Sequence, residues 1–174
     1  MLTNFVSFKG FVKKKKSKSL QKYLKELINS KDEVIISLTK KYKYNYTKNF
    51  LKKFKKFKFL RIFGMGGSSL GAHGIYDFLK HKIKRDFFFI SNLKHREFYP
   101  KKKYLNLIIS KSGNTLETIV NSNIYINKNE KNIFITENKK SILKNIGLKL
   151  KNEILDHNNY IGGRYSVLSE VGML

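Results

Sequence analysis

Three short stretches of the chain hold residue types at spacings that can do chemistry. Ser110-Lys111-Ser112-Gly113-Asn114-Thr115 sets hydroxyls at positions 110, 112 and 115 around a glycine. Three hydroxyls and the backbone N–H groups of such a turn can ring one phosphate, holding it without a metal and letting it leave. A Ser/Thr-capped helix start uses the same residue types but needs only one hydroxyl. Gly64-Met65-Gly66-Gly67-Ser68-Ser69-Leu70-Gly71 supplies glycines that let a ligand approach the backbone, with Ser68 and Ser69 as further donors. It is not a P-loop, because no Gly-Lys-Ser/Thr follows. Nor is it a dinucleotide fingerprint: Ser69 stands at the third glycine position, and the next apolar run ends at Ser91-Asn92 with no acid to hold a ribose. Read alone, the same glycines also suit a tight structural turn. The third stretch, Gly162-Gly163-Arg164-Tyr165-Ser166-Val167-Leu168-Ser169, offers a permanently charged guanidinium after two glycines. His73, His81 and His95 stand alone without metal-ligand spacing and read as surface or packing residues, while His157 can shape the turn before Gly162.

These stretches need elements to position them. Short apolar runs at 59–63, 86–90, 104–109 and 132–136, with a weaker one near 148–155, read as strands. Helical spacing follows the first at Ala72, Ile75, Tyr76, Leu79 and Ile83, and the third at Leu116, Ile119, Val120 and Ile124. A further helical pattern marks Ile142, Leu143 and Ile146. Strands alternating with helices predict an α/β three-layer sandwich around a parallel sheet of about five strands. Both glycine- and serine-bearing loops then sit at the carboxyl end of a strand and the start of a helix, where free N–H groups and the helix dipole suit an anion.

Residues 1–58 read as a lysine-rich helical lead-in to a domain spanning 59–174. Leu20, Tyr23, Leu24, Leu27 and Ile28 form one helical stripe, with Ser19 as its N-cap. Val34–Ile36 is too short to assign to helix or strand. Phe54 and Phe57 are expected to pack while the lysines around them reach into water. A helix is expected from near Tyr165 to Leu174, leaving Val171, Met173 and Leu174 without cover, as in a domain incomplete at its C-terminal end.

At 174 residues, 41% hydrophobic and rich in Phe and Tyr, the chain can close a core. No apolar run approaches the roughly 18 residues of a membrane span, and the N-terminus lacks the order of a secretory signal. The absence of cysteine excludes disulfides and thiolate metal sites and fits a reducing compartment. The net charge of +25 allows a nucleic-acid binder. Yet the cations are lysines apart from Arg61, Arg85, Arg96 and Arg164, and Asn and Ile are abundant. An AT-rich coding sequence yields that composition, which favours a compositional origin of the charge over a nucleic-acid reader.

The order strand, Gly-x-Gly-Gly-Ser, strand, then Ser-x-Ser-Gly-x-Thr followed by Glu117 resembles the sugar isomerase (SIS) domain of phosphosugar isomerases and phosphosugar-sensing regulators. Gly162 to Ser169, following Asp156-His157, narrows the resemblance to glucose-6-phosphate isomerases, over roughly residues 59 to 174. Many members read Ser-Lys-Thr-x-Thr-Thr in the second loop, where this chain has Ser112, Gly113 and Asn114 and keeps the hydroxyl pattern. The resemblance implies that Gly67 and Ser68 contact substrate. It makes 110–115 the phosphate cradle, with Ser110, Ser112 and Thr115 donating alongside Lys111, Gly113 and Asn114. Glu117 and Gly163 support the site, and Arg164 stands beside the reacting carbons to stabilise an enediolate. It further implies interconversion of glucose 6-phosphate and fructose 6-phosphate by proton transfer without a cofactor, in a cytoplasmic homodimer with neither membrane nor specific nucleic-acid partner. The family's general-base Glu, ring-opening His and late Lys are implied to lie beyond residue 174, so the chain is expected to bind a sugar phosphate better than it turns one over. A stand-alone phosphosugar-binding module is the alternative, and the 162–169 motif counts against it.

Overall fold

The computed structural model describes residues 17–30, 32–93, 102–127 and 129–174. His95 and Arg96 lie outside them. Five strands, β1 (Phe59–Phe63), β2 (Asp86–Ile90), β3 (Tyr104–Ile109), β4 (Lys131–Thr136) and β5 (Glu153–Asp156), form one sheet in the order β2-β1-β3-β4-β5. Every pairing is parallel. All six residues of β3 are buried, as expected of a central parallel strand covered on both faces. Helix α4 (Leu70–Leu79) follows β1, α5 (Leu116–Tyr125) follows β3 and α6 (Ile142–Lys149) follows β4, so the expected α/β sandwich is the observed one.

Alternation along the strands divides the core. Leu60, Ile62, Leu105, Leu107, Ile109, Ile133 and Ile135 pack one face with Phe54, Phe57 and Val171. Phe63, Ile108 and Phe134 pack the other with Tyr125 and Leu143. Within the sheet Arg61, Asn106 and Asn132 lie in register. Arg61 Nε donates to Asn106 Oδ1 (2.8 Å), Asn106 Nδ2 donates to Asn132 Oδ1 (2.7 Å), and Glu130 closes the ladder through Arg61 and Asn106. These buried polar groups are thus mutually satisfied.

Among its described residues the lead-in holds three helices, α1 (Lys18–Asn29), α2 (Glu33–Ser37) and α3 (Lys48–Lys52). Ser17, not Ser19, accepts the capping bond of α1, from the N–H of Leu20. The stripe from Leu20 to Ile28 is exposed along its length. Val34–Ile36 belongs to α2, which Asp32 caps. The second part of the lead-in packs on the sheet: Tyr42, Phe54 and Phe57 are buried, and Lys53 and Lys56 lie over the rings of Phe50 and Phe57 at 5.7 and 5.9 Å.

The end of the chain corrects the expected helix. A 3₁₀ turn at Gly163–Leu168 is followed by α7 (Glu170–Met173). Ser169 between them is extended, and its hydroxyl donates to Ser166 O (2.6 Å), occupying the carbonyl that a continuous helix would pair with its next turn. Val171 is buried against the sheet and Leu174 packs on the same layer, so of the three residues expected to lack cover only Met173 is exposed. Among the described residues no helix is long and apolar enough to cross a membrane.

Candidate functional site

β1 and β3 are neighbours, so their following loops leave the sheet side by side, and the segment after β5 turns back toward them. The first loop closes into a 3₁₀ turn at Gly66–Ser68, entered through Gly66 at φ +55°, where a side chain would be strained. Gly67 is required by space. A Cβ there would stand 2.1 Å from Gly163 O and 2.8 Å from Arg164 Cα. In the first turn of α4, a Cβ on Gly71 would meet Val167 at 2.5 Å. The glycine loop and the arginine turn are therefore pressed backbone to backbone. Ser68 and Ser69 are buried, and neither caps α4 with its side chain.

The second loop brings three hydroxyls together. Ser110 Oγ lies 2.8 Å from Thr115 Oγ1 and 3.5 Å from Ser112 Oγ. Gly113 N–H donates to Ser110 Oγ (3.1 Å), and Asn114 N–H to Ser112 Oγ (3.2 Å). Thr115 stands at the N-cap of α5, yet its side chain makes no capping bond. Its hydroxyl turns to Ser110 instead, which leaves the start of α5 without a side-chain cap and open to an anion. Gly113 has φ +68°, and a Cβ on it would meet Ser141 Oγ at 2.1 Å.

Two members of this loop have structural duties. Asn114 Oδ1 accepts from Ile142 N–H (3.0 Å) and so fastens the loop to the start of α6. Lys111 Nζ donates to Asn159 O (2.6 Å) and pairs with Glu137 (3.4 Å). That ammonium ties the hydroxyl loop to the segment leading into the arginine turn. Glu137 also holds Lys139. Burial alone would raise its carboxyl pKa, but the two ammonium groups outweigh burial and hold it below the ordinary value. Glu117 occupies the first turn of α5.

Arg164 is exposed on its turn, and among the described residues no side chain pairs with its guanidinium. What holds the turn lies below it. His157 is buried, its Nε2 3.0 Å from Ser166 Oγ and its Nδ1 3.0 Å from Asn158 O. Ser166 Oγ donates to Gly163 O (2.7 Å). Glu170, fully buried, accepts from Tyr42 Oη (3.0 and 3.2 Å) and from Asn45 N–H (3.1 Å), and Tyr42 Oη accepts from Asn158 Nδ2 (2.6 Å). Burial, then the Glu170 charge, push the Tyr42 hydroxyl well above its ordinary pKa.

The sequence candidates thus form two groups, Gly67 with Gly163 and Arg164, and Ser110 with Ser112 and Thr115, joined through Lys111. Sequence reasoning passed over Glu170, Tyr42 and Asn45, which meet across more than a hundred residues with no local signal. His73 stacks on Phe89 (4.2 Å between centroids) and pairs with Asp77, the packing role expected of it.

The family model of phosphoglucose isomerase matches residues 28–174. Glucose-6-phosphate isomerase of Borreliella afzelii is 36% identical over 139 residues, covering 69% of this chain and 26% of that protein. The Methanocaldococcus jannaschii protein of the same name is 36% identical over 126 residues, 64% of this chain and 30% of its own length. The chain therefore spans less than a third of these curated relatives. A hypothetical protein of Thermus thermophilus superposes with TM-score 0.59 at 22% identity, over 68% of this chain and 32% of that one. The tagatose-6-phosphate ketose/aldose isomerase of Escherichia coli superposes with TM-score 0.52 at 18% identity, over 69% and 37%.

Proposed function

The chain belongs to the phosphoglucose isomerase family, and from that premise we propose that it supplies the phosphosugar-binding surface of an enzyme interconverting glucose 6-phosphate and fructose 6-phosphate. Residues 59–174 form the binding domain. The phosphate rests on Ser110, Ser112 and Thr115 and on the N–H groups at the start of α5, with Gly67 and Ser68 along the sugar. Aldose–ketose isomerisation moves a proton between adjacent carbons through an enediolate, whose negative charge needs a fixed cation. Arg164, free of any protein partner among the described residues, meets that need. The assembled enzyme is a cytoplasmic homodimer with no specific nucleic-acid partner, in the same reading.

The observation that carries the proposal is the convergence of three hydroxyls at a helix start whose own cap residue declines to cap it. Calorimetric titration with glucose 6-phosphate tests it. Replacing Ser112→Ala and Thr115→Ala together is expected to weaken binding by about 0.5–1.5 kcal/mol for each hydrogen bond lost. Unchanged affinity in the double variant would remove 110–115 from the site.

A further inference from the structure

We propose that Ser166 and His157 are positioning residues for Arg164, acting as a relay in which the protonation of the ring decides where the Ser166 proton goes. The inference rests on the reading of Arg164 as the group beside the reacting carbons. It begins from proton counting. The Ser166 hydroxyl has one hydrogen and two neighbours that compete for it, Gly163 O at 2.7 Å and His157 Nε2 at 3.0 Å. The other ring nitrogen faces a carbonyl, Asn158 O, at 3.0 Å, an atom that can only accept.

A neutral ring cannot satisfy all three contacts. With its hydrogen on Nδ1 the ring donates to Asn158 O, so Nε2 must draw the Ser166 proton and Gly163 O loses its donor. With the hydrogen on Nε2 the Ser166 proton can serve Gly163, but the Nδ1 lone pair then opposes the Asn158 oxygen. The imidazolium satisfies every contact at once: Nδ1–H to Asn158 O, Nε2–H to Ser166 Oγ, and Ser166 Oγ–H to Gly163 O. Gly163 immediately precedes Arg164, and its carbonyl is the atom that abuts Gly67. Anchoring that carbonyl fixes the peptide plane from which Arg164 departs.

The surroundings set the working range. Burial, above all, holds the His157 pKa below its ordinary value; the Asn158 carbonyl opposes this. Of the charged groups facing the ring, Lys111 from the hydroxyl loop disfavours the imidazolium, while Glu170 of α7 and Glu137 beyond β4 favour it. At neutral pH the ring is uncharged and Gly163 O is shared or unpaired. The relay closes only as pH falls through the lowered pKa of the ring.

The test compares two probes on the chain between pH 4.5 and 8: inorganic phosphate, which needs only the hydroxyl loop, and a five-carbon aldonic acid 5-phosphate. The carboxylate of the second presents negative charge where an enediolate would form. The ratio of their affinities largely cancels the titration of the phosphate. In the unaltered chain the ratio is expected to rise about three- to tenfold as pH falls through the His157 titration, the worth of one hydrogen bond. Ser166→Ala should flatten the ratio at its high-pH value with phosphate affinity unchanged. His157→Gln, whose amide donates to Ser166 at every pH, should flatten it at the low-pH value. A parallel readout needs no ligand: the Arg164 amide nitrogen, bonded to the Gly163 carbonyl carbon, should shift in NMR spectra with the His157 ring titration, and cease to do so in Ser166→Ala. A pH step that survives in both variants, or an Arg164 amide indifferent to the ring, overturns the relay. If neither probe binds the unaltered chain, the functional reading fails, and the amide titration still decides the relay.

Discussion

Gly67→Ala probes the contact on which the two halves of the site depend. The added methyl would stand 2.1 Å from Gly163 O and 2.8 Å from both Gly163 C and Arg164 Cα. All three are backbone atoms, so no side chain can swing aside. Ordinary contact begins at 3.4 Å, and the difference from 2.1 Å requires the arginine turn or the glycine loop to retreat by about 1.3 Å. Gly67, unlike Gly66, has no positive φ, so backbone strain adds nothing and the effect is one of overpacking. Such insertions cost about 1–3 kcal/mol, and in a chain of this size each kcal/mol lowers Tm by about 2–4 °C. If 110–115 is the phosphate cradle, displacement of the arginine turn should also weaken a sugar-acid phosphate while leaving inorganic phosphate unaffected. Gly74→Ala is the control. It lies inside α4 with nothing within 4 Å of its Cβ, and removing a helical glycine there is expected to stabilise by about 0.5–1 kcal/mol. Thermal unfolding and calorimetry read both quantities. If Gly67→Ala melts with the unaltered chain and binds both ligands equally well, the backbone contact between loop and turn is not present in solution.

Tyr42→Phe removes the hydroxyl that donates to buried Glu170 and leaves Asn45 N–H as its remaining donor among the described residues. Denaturant unfolding is expected to show a loss of about 1–3 kcal/mol, and a change within error would mean that Glu170 is satisfied in another way. Glu137 has a lowered pKa, so its contribution to stability is present above the ordinary carboxyl value of 4.5 and is lost as pH falls through the lowered one. Glu137→Gln should flatten that part of the stability curve below pH 4.5, and an unchanged curve would show the ammonium groups of Lys111 and Lys139 to be elsewhere. In a coupled assay the chain by itself is expected to isomerise fructose 6-phosphate at well under about 1 s⁻¹, because Glu137 is bound to two lysines and Glu170 is enclosed. Turnover above that rate would place a working base within the described loops.

The sheet was legible because parallel strands covered on both faces are apolar along most of their length; the run from Leu105 to Ile109, broken only by Asn106, differs from an alternating surface strand even without a partner in view. The two loops were legible because glycines and hydroxyls concentrate where a strand gives way to a helix. Legibility stopped where contacts are distant in sequence. Tyr42 meets Glu170 across 128 positions and Asn45 meets Asp156 across 111, so nothing local marks the lead-in as part of the floor beneath Arg164. The stripe of α1 shows the opposite limit. Its spacing predicted a helix correctly, but periodicity says only that a face is apolar, not that anything covers it. Ser17 displaced Ser19 as cap because either serine can accept from an N–H two or three residues on, and the hydrogen-bond geometry alone decides. The Tyr165–Leu174 segment misled for a related reason, since a 3₁₀ turn and a helix share nearly the same apolar spacing and Ser169 breaks the run through its side chain.

The charge of the molecule bears on selectivity in a way its size conceals. A chain at +25 attracts any anion to its surface, and exposed lysines hold none of them for long against salt. The cationic group built into the hydroxyl loop, Lys111, is spent on Asn159 O and Glu137. In the proposed cradle phosphate meets hydroxyls and amide N–H groups, donors that act only at short range and in fixed directions. Neutral donors distinguish a tetrahedral anion that fits from one that is merely attracted, and they release it without breaking an ion pair. Among the described residues Arg164, held on a separate turn, is the cation near the loop that no protein group pairs. In that proposal a phosphate on the loop leaves the guanidinium free for charge arising further along the bound sugar. On the proposed reading, that division of labour gives the close contact between Gly67 and Gly163 a purpose: a cation useful only to a developing charge must be placed by the backbone where, among the described residues, no side chain pairs with it.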